Sequence, residues 1–117
     1  QTKVGVINSK TGELKLVELP SAYKSATLVT EDDIAYVLAE DGNLYAIDLK
    51  TAKISLTISA FNPFSLDEEA PVLFEANHHI YILMPSYQKL YEVHGNHTHE
   101  VVKFDFEPTA IVPIEAH

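Results

Sequence analysis

Apolar residues recur along this chain in short alternating or continuous bursts, each followed by a cluster of turn-forming residues, and that rhythm predicts strands rather than helices. Val4, Val6 and Ile7 precede the polar stretch Asn8-Ser9-Lys10-Thr11-Gly12, after which Leu14, Val17 and Leu19 resume the pattern. Gly12 suits the positive backbone dihedral of a hairpin turn. Thr27-Leu28-Val29, Ile34 to Ala39, Leu44 to Ile47, and Ile54, Leu56 and Ile58 then predict four short strands over roughly residues 27 to 59. Asp41-Gly42, between the second and third of these, is a strong hairpin signal. The same order returns in Pro71 to Glu75, Ile80 to Met84, Lys89 to Val93 and Val101 to Phe104.

The second block is a diverged copy of the first: Tyr36 and Tyr81 lie 45 positions apart, and Leu44 and Leu90 lie 46 apart. A unit of that length holding four strands is the size of a propeller blade. The expected fold class is therefore all-β, built of β-propeller blades that form a C-terminal fragment or one chain of a larger propeller. Residues 1–26 read as the end of a preceding blade, 27–70 and 71–107 as blades, and 108–117 as a closing strand and C-terminal tail. Tyr36, Tyr45, Tyr81 and Tyr91 fall at strand positions and are assigned to packing between sheets.

Composition narrows the function classes. The chain of 117 residues carries 8 Lys and Arg against 17 Asp and Glu, a formal net charge of −9. Such an acidic field opposes phosphate backbones, which argues against nucleic acid as a partner and leaves cations open. There is no cysteine, so disulfides, thiolate metal sites and cysteine nucleophiles are excluded. No run approaches the roughly 20 apolar residues that cross a bilayer, so direct membrane insertion is not expected.

Six histidines carry the most distinctive chemistry. His94, His97 and His99 sit in one short polar segment, where neutral imidazoles can converge on zinc or simply form a solvated turn. His78 and His79 are adjacent, and in one strand would face opposite sides, so they are not expected to chelate one ion together. Asp67, within the run Asp67-Glu68-Glu69, reads as a hydrated surface turn or as an oxygen donor to a mixed site. Terminal His117 is a further candidate ligand. Asp41-Gly42-Asn43 lacks the periodic oxygen donors of a calcium loop. Ser65 lacks the sharp strand-to-helix turn of an esterase nucleophile, and no phosphate-cradling glycine motif is present, so enzymatic activity is not expected.

Ala35-Tyr36-Val37, the segment Asp41 to Thr51, and Lys89-Leu90-Tyr91-Glu92-Val93 resemble blades of quinoprotein-type and surface-layer-type propellers. More narrowly, Pro63 to Asp67, Tyr81 to Val93, Pro108 to Ile111 and the final His117 resemble the C-terminal part of bacterial periplasmic zinc metallochaperone propellers. That resemblance implies zinc as the bound ion, a periplasmic setting, and delivery to the zinc-binding component of an ABC importer. It also implies remaining propeller blades or a further propeller chain, and points to Asp67 and His117 as ligand positions, whereas His94, His97 and His99 are candidates on local chemistry alone. The competing reading is a propeller interaction module that binds protein without metal.

Overall fold

A computed structural model describes residues 2–108 and 110–114, and their strands form three antiparallel sheets. Strands β1 (Lys3–Ile7) and β2 (Leu14–Glu18) pair as a hairpin. Its turn is closed by the Asn8 carboxamide oxygen, which accepts the Lys10 N–H at 2.9 Å, and by Gly12, whose φ is +76°. Strands β3 (Leu28–Glu31), β4 (Ile34–Leu38), β5 (Asn43–Asp48) and β6 (Lys53–Ser59) form the second sheet. Strands β7 (Val72–Ala76), β8 (His79–Met84), β9 (Lys89–His94) and β10 (His97–Lys103) form the third. In both four-stranded sheets every strand lies beside the next in sequence, as expected for short turns that can join only antiparallel neighbours.

The sheets stack face to face through two apolar layers, and the opposite ends of their strand order define an inside and an outside. Val4 and Val17 of the first sheet pack with Val37, Tyr45 and Ile47 of the second. Leu38, Leu44 and Ile58 of the second pack with Leu73, Ile82 and Met84 of the third. Strands β3 and β7 approach each other, whereas β6 and β10 lie at the far edges of their sheets. Four-stranded sheets stacked with their first strands together are propeller blades, and the expected all-β class is found.

Both outermost strands are interrupted at equivalent places. Register shifts leave Ser55 of β6 and Val101 of β10 as the extra residue of a bulge, and these two residues lie 46 positions apart. The Ser55 hydroxyl donates to the Ala46 carbonyl at 3.2 Å.

Three features differ from the sequence reading. Leu66–Glu69 forms a single helical turn, α1, ended by Ala70 in the left-handed region, because the run Asp67-Glu68-Glu69 places its carboxylates where first-turn N–H groups are unsatisfied. The closing strand expected over 108–117 is irregular chain across residues 110–114. The polar segment from His94 to His99 is mostly strand, with only Gly95-Asn96 forming the turn between β9 and β10. Among the described residues no helix is long and apolar enough to cross a membrane.

Candidate metal centre

Strand parity gathers the histidines. The two-residue turn Gly95-Asn96, with Gly95 at φ +65°, pairs His97 with His94 and His99 with Glu92. Alternate residues of a strand share a face, so His94, His97, His99 and Glu92 all project from one side of the β9–β10 hairpin. Strand β8 extends that face, since Tyr81 pairs with Glu92 and His79 lies two residues before Tyr81. The opposite side of the sheet carries Leu73, Ile82 and Met84, committed to the core shared with the neighbouring blade.

The three rings lie near one another. Ring centroids of His94 and His99 are 5.4 Å apart, those of His94 and His97 5.6 Å, and those of His97 and His99 6.5 Å. Zinc–nitrogen bonds of about 2.0–2.1 Å in tetrahedral geometry place imidazole centroids roughly 5 Å apart. The ligand nitrogens of His94, His97 and His99 do not all lie within 4.8 Å of one another, so holding one ion requires the rings to turn, about a terminal torsion that is soft for His. Beside them Glu92, its side chain 15% exposed, receives the His79 Nδ1 on Oε2 at 2.7 Å and has His99 Nε2 at 3.6 Å from Oε1.

His78 turns the other way. Its Nδ1 lies 2.9 Å from Oε1 of Glu31, its N–H donates to Glu75 at 2.7 Å, and Asn77 and His78 both have positive φ. The hydrogen bond to the Glu31 carboxylate, reinforced by its charge, raises the His78 pKa above its usual 6.5. Ligand atoms of Glu31, Asp32 and His78 all lie within 4.8 Å of one another. That contact joins the β3–β4 turn of one blade to the β7–β8 turn of the next. The adjacent imidazoles thus serve different groups, as their alternation in sequence suggests.

Of the five ligand candidates read from sequence, His94, His97 and His99 come together on this face. Asp67 lies in α1, before the start of β7, whereas the histidine face lies beyond its end. Its exposed carboxylate accepts a hydrogen bond from Lys24 Nζ, which lowers its pKa below the usual carboxylate value. His117 lies outside the described residues. Sequence reasoning missed His79 and Glu92 as members of the group. The signal was present as the alternation Glu92-x-His94 and His97-x-His99 about Gly-Asn, which in a tight hairpin puts all four on one side.

Comparison with known proteins supplies the wider frame. No protein-family model and no curated relative matches the chain. Among solved structures, two of AztD from Citrobacter koseri share its fold, with TM-scores of 0.77 and 0.79 at 21% identity. The second of these is of apo AztD. The match covers 92% of this chain and 31% of each AztD chain, so the protein spans about a third of their length. The blades described above are the fold of part of the AztD propeller.

Proposed function

We propose that this protein binds zinc reversibly through His94, His97 and His99 and delivers it, in the periplasm, to the solute-binding component of an ABC importer. The observation that carries the reading is the convergence of three imidazoles, with centroids 5.4–6.5 Å apart, on one face of a short hairpin. Zinc accepts nitrogen donors of this kind, and a carrier needs ligands that open and exchange rather than a closed knot. His99, 42% exposed, keeps the face within reach of a partner. The fold shared with AztD supports the resemblance to zinc metallochaperone propellers seen in the sequence. The protein is read as a carrier, not a catalyst.

Metal analysis of the purified protein after zinc challenge, followed by mixing with metal-free solute-binding component, tests both halves. Stoichiometric zinc that is lost in the triple variant His94→Ala, His97→Ala, His99→Ala and passes to the partner is the expected result. A protein that takes up no zinc, yet associates with a partner regardless of chelator, overturns the reading in favour of an interaction module.

A further inference from the structure

Where the second and third sheets meet at their first strands, ligating side chains from two blades face one another. Glu31 ends β3 and Asp32 follows it in the β3–β4 turn, whereas His78 comes from the β7–β8 turn of the next blade. The approach of β3 to β7 brings them together, and one ligand atom from each lies within 4.8 Å of the other two. Around a small divalent ion with bonds of about 2.1 Å, neighbouring ligand atoms stand about 3 Å apart and opposite ones roughly 4.2 Å. The 2.9 Å between His78 Nδ1 and Glu31 Oε1 matches the shorter of these spacings.

An imidazole supplied by a separate blade distinguishes this group from an ordinary acidic turn. The Glu31 side chain is only 13% exposed, and a carboxylate withdrawn from water requires a partner. Asp32 adds a second negative charge beside it. Glu75 adds a third, accepting the His78 N–H at 2.7 Å. Among the described residues no lysine or arginine pairs with any of these three carboxylates, and the one at hand in sequence, Lys50, pairs with Asp33 instead. The compensating group is the His78 ring. An ionised carboxylate only accepts hydrogen bonds, so the proton between His78 Nδ1 and Glu31 belongs to the nitrogen, and a metal ion bonded to the same two atoms would replace it.

We propose that Glu31, Asp32 and His78 form a second cation site, separate from the histidine face, that takes a divalent d-block ion and clamps the two blades together. One nitrogen among oxygens favours ions of the series from manganese to zinc over calcium and magnesium, which are held by oxygen. Water completes the coordination, because the His78 side chain is 81% exposed. So open a site exchanges its ion rapidly and loses it on desalting, and the zinc retained after challenge is that of the histidine face. None of these ligands belongs to that face, so the two sites stand or fall separately.

Manganese(II) chloride added to the triple variant His94→Ala, His97→Ala, His99→Ala tests the site with the histidine face removed. Free manganese is counted by its electron paramagnetic resonance signal, and bound manganese is located by the broadening of backbone amide resonances, which also report the fold. One bound equivalent is expected, with broadening centred on Glu31, Asp32 and His78, and calcium chloride in excess does not displace it. In the same background His78→Ala and Asp32→Asn should each lose the uptake. Asp32 has a φ of +52°, a left-handed conformation that Asn also adopts, so Asp32→Asn removes the charge and keeps the turn. Manganese should raise the thermal midpoint of the triple variant but not that of its Asp32→Asn derivative, since an ion bound only by the folded state stabilises it. No uptake, uptake undiminished by either substitution, broadening centred elsewhere or displacement by calcium overturns the second site and leaves zinc delivery standing. Manganese uptake as expected, with no zinc retained by the wild-type protein, overturns the carrier reading instead.

Discussion

Gly42 shows how much one residue can be constrained by its surroundings. Its φ is +84°, and a Cβ there would lie 2.0 Å from the Phe61 carbonyl oxygen, whose own N–H donates to the Gly42 carbonyl at 2.9 Å. Gly42→Ala therefore incurs about 1–3 kcal/mol of backbone strain and a clash with main chain that cannot rotate away. The expected result is a clear loss in urea midpoint, whereas Gly12→Ala, with nothing within 4 Å of the added atom, incurs only the dihedral cost. Tyrosines supply a second residue-level test. Burial raises the pKa of Tyr36, Tyr45 and Tyr91 above the usual 10.0, and at Tyr45 the hydrogen bond to Asp41 adds to it. Because the folded values exceed the unfolded one, this stabilisation is complete below pH 10 and is lost as pH rises through the folded values. Phenolate absorbance should therefore show these three rings ionising late and together with alkaline unfolding.

Whole elements carry the site, so the decisive perturbation is one of register rather than composition. Exchanging His97 with Thr98 and His99 with Glu100, as H97T/T98H/H99E/E100H, preserves every residue count. It moves two imidazoles to the opposite face of β10, because side chains alternate along a strand. Stoichiometric zinc binding measured by dialysis should be lost, although the number of histidines is unchanged. Packing between elements gives a separate expectation. Ile82 is fully buried between the second and third sheets, and Ile82→Ala should lower stability by about 2–5 kcal/mol in denaturant unfolding. This scale also separates what was legible in the sequence from what was not. Strand placement followed from alternation and from the Asp41-Gly42 turn, and the histidine cluster from simple proximity along the chain. Glu92 was signalled by the alternation about Gly95-Asn96, whereas His79 was hidden because its place depends on the pairing of β8 with β9, which joins residues 13 positions apart and is fixed only once the apolar side of each strand chooses its neighbour.

At the level of the molecule, the three sheets are tied to one another by side chains and connecting segments while the strand ladders stay within each sheet. The connection before β7 is held by the Lys24–Asp67 ion pair, which is solvent-exposed and so contributes little near neutral pH. Asp67 has a lowered pKa, and its contribution is present above the unfolded value and fades as pH falls through the folded one. Asp67→Asn should therefore differ slightly from wild type in thermal midpoint at pH 7, converge with it in acid, and leave the zinc stoichiometry of the histidine face intact. The repeat that made the blades recognisable in sequence extends to their irregularities, for Ser55 and Val101 occupy matching positions in β6 and β10. An uninterrupted outer strand offers its unpaired backbone to any other strand it meets. Kinking that strand at the same place in successive blades twists the free ladder away from such a template, so both bulges work against edge-to-edge pairing of one molecule with another.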